Sequence, residues 1–140
     1  SKANVNPTVI YNEGWMTRLL VYYSIQEKIK IKEIDFSLMK HWTSEALISS
    51  PFVKASKLRE GYTHADIALG DFIVNYENRG EIIVCPNASQ FGIIEAKMKS
   101  PLSKGTKHAK DYNQASRNIT CIAHNTSLDC NTFFYVALPE

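Results

Sequence analysis

The chain has 140 residues, 44% of them apolar and 21% charged. That is enough to bury one core, too little for two domains, and not the composition of a disordered chain. Sixteen Lys and Arg against fourteen Asp and Glu leave a net charge of +2, which excludes a strongly basic or acidic tail, and no apolar run approaches the ~20 residues of a membrane-spanning helix.

Residues 1–11 are polar around Pro7 and read as a lead-in to a single domain over 1–140. A helix is predicted from Asn12 to near Lys30, with Asn12 as N-cap and Glu13 in the first turn, where the helix dipole favours a carboxylate. Trp15, Leu19, Tyr22 and Tyr23 recur at helical spacing and predict its buried stripe. Ile34–Met39 reads as a short strand, and Trp42–Ile48 as a helical turn that stops before Pro51. Lys54 to Gly61 is a solvated connection.

From His64 the period changes. Ala65–Tyr76 is rich in strand formers, and Gly70 inside it marks a bulge or bend. Asn78-Arg79-Gly80 is a turn, Glu81–Cys85 a second strand, and Phe91–Met98 a third. Ser100–Lys110 is a loop. A second helix is predicted over Ala109–His124, with Tyr112, Ala115, Ile119, Ile122 and Ala123 on one face and Gln114, Arg117 and Cys121 on the next. Phe133–Leu138 is continuously apolar, as a strand covered on both faces would be.

Three cysteines (Cys85, Cys121 and Cys130) without a Cys-X-X-Cys pair fit neither a disulfide framework nor a zinc site. They read as reduced thiols, and the expected location is cytoplasmic. The Asn-X-Ser/Thr triplets at Asn87, Asn118 and Asn125 are accordingly read as chance.

The strongest local feature is Glu95-Ala96-Lys97 ending an apolar strand. Residues two apart on a strand share a face, so a carboxylate and an ammonium project together. The carboxylate can hold a divalent cation, and the ammonium can offset phosphate charge or hold an attacking water. Asp66, in Thr-His-Ala-Asp-Ile-Ala-Leu, is an acid among apolar residues. Burying it needs a partner, and a cation shared with Glu95 supplies one. Asp71 is the rival, pointing the other way by alternation unless Gly70 introduces a bulge. Glu45, among apolar residues, is a further candidate. Each acid also has a plain reading, as an ion-pair partner or a turn cap.

An acid at a strand start, then Glu-X-Lys ending a later strand, within helix–three strands–helix–strand order, resembles the PD-(D/E)XK nuclease superfamily over about residues 12–138. That resemblance implies an α/β restriction-endonuclease-like core with a mixed central sheet flanked by helices. It implies Mg²⁺ or Mn²⁺ held by Asp66 and Glu95, Lys97 beside the attacking water, and hydrolysis of DNA phosphodiesters in restriction, defence or repair. It places Glu13 on the first helix and Gln114 on the second among the catalytic residues. The chain departs from the pattern in having Ala65 where proline is common, and Asn118 where one branch has tyrosine four residues after the glutamine. Nucleases of this size and fold often form homodimers. The alternative is a catalytically silent nucleic-acid-binding or assembly module with the same fold.

Charge is distributed unevenly. The window 96–117 holds Lys97, Lys99, Lys104, Lys107, Lys110 and Arg117 against Asp111, a local +5, which leaves −3 elsewhere. Lys99, Lys104, Lys107, Lys110 and Arg117 are therefore the expected phosphate contacts. No P-loop, dinucleotide fingerprint, nucleophile elbow or zinc-protease motif is present.

Overall fold

The computed structural model describes residues 13–52, 61–97, 102, 104 and 113–138. Among them are helices α1 (Glu13–Gln26) and α2 (Gln114–Asn125). The strands are β1 (Lys30–Ile31), β2 (Ile34–Asp35), β3 (His41–Ser49), β4 (Tyr62–Gly70), β5 (Phe72–Asn75), β6 (Glu81–Val84), β7 (Gln90–Ala96) and β8 (Asn131–Ala137). β1 and β2 form a separate hairpin, and the other six make one mixed sheet in the order β5-β6-β3-β4-β7-β8. β4 runs antiparallel to both β3 and β7, whereas β8 runs parallel to β7 after the crossover through α2.

Alternation along β7 sorts the core into two layers. Ile94 joins Ile67, Leu69, Phe133 and Val21 of α1, and Phe91 and Ile93 join Ala68, Cys121 and Ile122 on the α2 side. The architecture is thus helix, sheet, helix.

Three sequence expectations are corrected here. Trp42–Ile48 is strand β3, not a helical turn. Glu-Ala-Leu favours a helix locally, but pairing with β4 from His41↔Gly70 to Ser49↔Tyr62 overrides that preference. The buried face of α1 is Thr17, Val21 and Ser24, while Trp15, Tyr22 and Tyr23 lie at least half exposed. Small side chains let the helix sit close on β4 and β7, where rings of that size would hold it off. α2 is also turned about its axis: Asn118, Cys121 and Ile122 face the sheet and Ile119 is exposed.

Two expectations hold with refined limits. Gly70, at φ 127°, does break the 65–76 run. It ends β4, which pairs with β7, and β5 then pairs with β6. α1 stops at Gln26, short of Lys30, because Lys28 N–H bonds Ile25 O (3.2 Å) and Ile29 N–H bonds Ser24 O (2.9 Å). These two bonds form a Schellman stop with Lys28 at the left-handed position, φ 53°. A lysine there is strained where glycine is not. Lys28→Gly is expected to raise unfolding stability by about 0.5–1 kcal/mol in urea titration.

Candidate metal and phosphate site

The sheet register brings the two carboxylates together. β4 and β7 pair from Gly70↔Phe91 to Ile67↔Ile94, and one step further Asp66 stands opposite Glu95. Directly opposed residues share a face, here the one covered by α2. The backbone ladder stops at this step and a side chain continues it: Ala96 N–H donates to Asp66 Oδ2 at 2.8 Å. Asp66 is thus not at a strand start, as the sequence suggests, but mid-strand, because β4 already pairs with β3 from Tyr62 onward; its carboxylate fixes the end of β7.

Glu95 is 1% exposed. Gln114 Nε2 donates to its Oε2 at 2.6 Å, and Asn118 Nδ2 donates to its Oε1 at 2.9 Å. Gln114 and Asn118 are four residues apart, so they stand one turn apart on one face of α2. Gln114 was expected near the site. Asn118 was legible only as a departure from a motif, although its spacing from Gln114 marks the same face. Lys97 continues β7 and is half-buried, as is Asp66, so the pair of acids meets solvent on their side.

Burial, and then the charge of Asp66, push the Glu95 carboxyl up to about 7, against the opposing pull of the Asn118 N–H and the Lys97 ammonium. A hydrogen bond with Asp66 also favours the protonated form. The native state thus holds a proton that the unfolded chain releases. This group's contribution to stability is intact below the ordinary carboxylate value of 4.5 and declines as pH rises through about 7. Metal-free protein should lose melting temperature from about pH 5 to about pH 8, and Glu95→Gln should flatten that decline in a thermal-shift series.

The rival Asp71 is a structural residue. It is 4% exposed, and its Oδ2 accepts from Ser89 N (2.9 Å) and Ser89 Oγ (3.0 Å). Lys40 Nζ lies 3.3 Å from its Oδ1. Burial alone would raise its carboxyl, but the Ser89 donors and Lys40 together bring it below the ordinary value. Asp71 N–H also bonds Gln90 O at the start of β7, roughly 17 Å along the strand from Glu95. It ties the β4–β5 corner to the β6–β7 connection and does not join Glu95.

Glu45 stands opposite Asp66 on the other side of β4, between the pairs Ser44↔Ile67 and Ala46↔Ala65. Its backbone is left-handed, φ 55°, and there β3 changes face. Ser44 Oγ accepts from Arg18 Nε of α1 at 3.1 Å, while Ala46 packs on the α2 side. The Glu45 side chain is exposed. Among the described residues no group of three or more His, Cys, Asp or Glu is placed to hold a metal ion, so Glu45 does not complete a three-acid cluster.

Glu13 opens α1, but its side chain lies outside the described part of the structure. Of the expected phosphate contacts, Lys104 is exposed and Arg117 is half-buried on α2. Lys99, Lys107 and Lys110 lie outside the described residues. What the structure assembles is a pair of facing carboxylates, two amides that orient one of them, and an ammonium directly after β7. Hard carboxylate oxygens of this kind suit Mg²⁺ or Mn²⁺, which commonly take one or two protein carboxylates and fill the rest with water and phosphate oxygen.

Compared with known protein families, with curated proteins and with solved structures, the chain matches none. Among the described residues no helix is long and apolar enough to cross a membrane.

Proposed function

We propose that the chain is a metal-dependent nuclease of the PD-(D/E)XK type that hydrolyses phosphodiester bonds of DNA. The observation that carries this reading is the placement of Asp66 opposite Glu95 on adjacent strands, with Lys97 following on β7. Element order supports it. α1, the antiparallel β3, β4 and β7, then α2 and β8 give helix–three strands–helix–strand, with β5 and β6 inserted before the third strand. This differs in detail from the sequence expectation, which took 65–76 and 81–85 as the first two strands.

Asp66 and Glu95 would hold Mg²⁺ or Mn²⁺. Such an ion, when bound, polarises a phosphoryl oxygen and makes a nucleophile of water near neutral pH. The chain's own groups do the rest. Ala96 N–H fixes Asp66, and Gln114 fixes Glu95. The Lys97 ammonium offsets negative charge on the phosphate and orients the attacking water. Lys104 and Arg117, with Lys99, Lys107 and Lys110, supply cationic contacts to the phosphate backbone. Action in restriction, defence or repair, and assembly as a homodimer, belong to the same reading.

The test is cleavage of plasmid and oligonucleotide DNA with Mg²⁺ or Mn²⁺, with and without chelator. Chelator-sensitive cleavage supports the reading. Salt-sensitive DNA binding with no cleavage in either metal supports the silent module instead.

A further inference from the structure

Asn118 is an unusual residue for its position. It is wholly buried, on the face of α2 that also buries Cys121 and Ile122 against the sheet. An apolar side chain would satisfy that packing. Instead an amide is present, and only half of it is used: Nδ2 donates to Glu95 Oε1, while the buried Oδ1 has no hydrogen-bond partner among the described residues. A buried acceptor without a donor is a standing cost. The feature that offsets it is the bond to Glu95.

That bond has a geometric consequence. Gln114 and Asn118 approach from the same helix face and engage different oxygens of one carboxylate. Two such anchors stop the carboxylate from rotating about its terminal bond, where one anchor would leave it free to turn. The oxygens' remaining lone pairs are then held for Asp66 and for whatever cation the two acids share.

We propose that Asn118 is a positioning residue, locking the orientation of the Glu95 carboxylate so that Asp66 and Glu95 bind a divalent cation together. This rests on the metal site of the proposed nuclease. It gives a role to the residue at which the chain departs from the glutamine–tyrosine pattern. Groups that orient a metal ligand are typically worth about 10- to 100-fold in metal affinity.

The test is Mn²⁺ titration of the full chain, with free Mn²⁺ read by electron paramagnetic resonance and folding read by thermal melts. Asn118→Leu keeps the branched four-atom shape, with somewhat more bulk, and removes both the donor and the orphan acceptor. Asn118→Ser removes the amide without adding bulk, and serves if the leucine variant does not fold. The expected result is a cooperative melt with Mn²⁺ affinity weakened about 10-fold or more. A folded variant that binds Mn²⁺ within about twofold of wild type overturns the role of Asn118. Wild type and Glu95→Gln separate the two levels. If wild type binds and Glu95→Gln does not, the metal site stands whatever Asn118 does. If wild type binds no Mn²⁺, or Glu95→Gln binds as wild type, the metal site fails and the inference falls with it.

Discussion

DNA cleavage in Mn²⁺ is expected to fall by at least ~10³-fold in Asp66→Asn and in Glu95→Gln, and by ~10²- to 10³-fold in Lys97→Ala. The two acids carry the larger effect because each removes a charge that a cation needs, and Asn or Gln leaves the shape nearly unchanged. Glu95→Gln also sets an amide against the amides of Gln114 and Asn118, which donate to both Glu95 oxygens. Asp66→Asn can keep the acceptor for Ala96 N–H, so its loss should be of activity more than of fold. In the proposed mechanism Lys97 acts on the phosphate and the water without holding the cation, so some activity is expected to remain without it. Initial rates of plasmid nicking, with melts to confirm folding, measure all three. Wild-type rates in all three variants would mean the wrong site has been assigned.

The largest expected loss of stability lies at Gly70. A Cβ there would stand 2.2 Å from Gln90 O and 2.8 Å from Phe91 Cα, both backbone atoms of β7. The φ of 127° is also one that L-residues rarely adopt. Neither neighbour can move without breaking the β4–β7 ladder that brings Asp66 to Glu95. Gly70→Ala should therefore cost about 4 kcal/mol or more, a large share of a domain's typical stability of ~5–15 kcal/mol. Gly80 is the control. It also has positive φ, 75°, but a Cβ there meets only Val74 Cγ1 at 4.0 Å. Gly80→Ala should cost about 1 kcal/mol, from backbone strain alone. Urea titrations of the two variants separate strain from collision, and equal losses would contradict the close approach at Gly70.

Much of this was legible in the sequence where the chemistry is local. Apolar β-branched runs marked β6 and β7, glycine marked the β4–β5 break, and Glu-X-Lys marked the end of β7. Misreadings arose where tertiary contacts decide. Glu-Ala-Leu within β3 has helical propensity, and only its pairing with β4 makes it a strand. The aromatic stripe of α1 looked like a core face, yet the helix packs through Thr17, Val21 and Ser24. In α2 Ile122 of the apolar stripe is buried as expected, but Ile119 gives way to Asn118, which supplies a donor to buried Glu95. Asp71 and Asp66 could be ranked by strand alternation, but Asp71's actual task, tying Ser89 to the β4–β5 corner, depends on a contact 18 residues away. As a site residue Asn118 was marked only by its place four residues after Gln114, where the glutamine–tyrosine pattern has tyrosine.

The proposed nuclease stands or falls on whether Asp66 and Glu95 together hold a divalent cation. Anomalous diffraction from a crystal of the full chain soaked in Mn²⁺ tests it most directly. The expected result is an anomalous peak between the two carboxylates, within oxygen-ligand distance of both, that disappears in Glu95→Gln. A peak at Asp71, or none at Asp66 and Glu95 when Mn²⁺ is saturating, would contradict it.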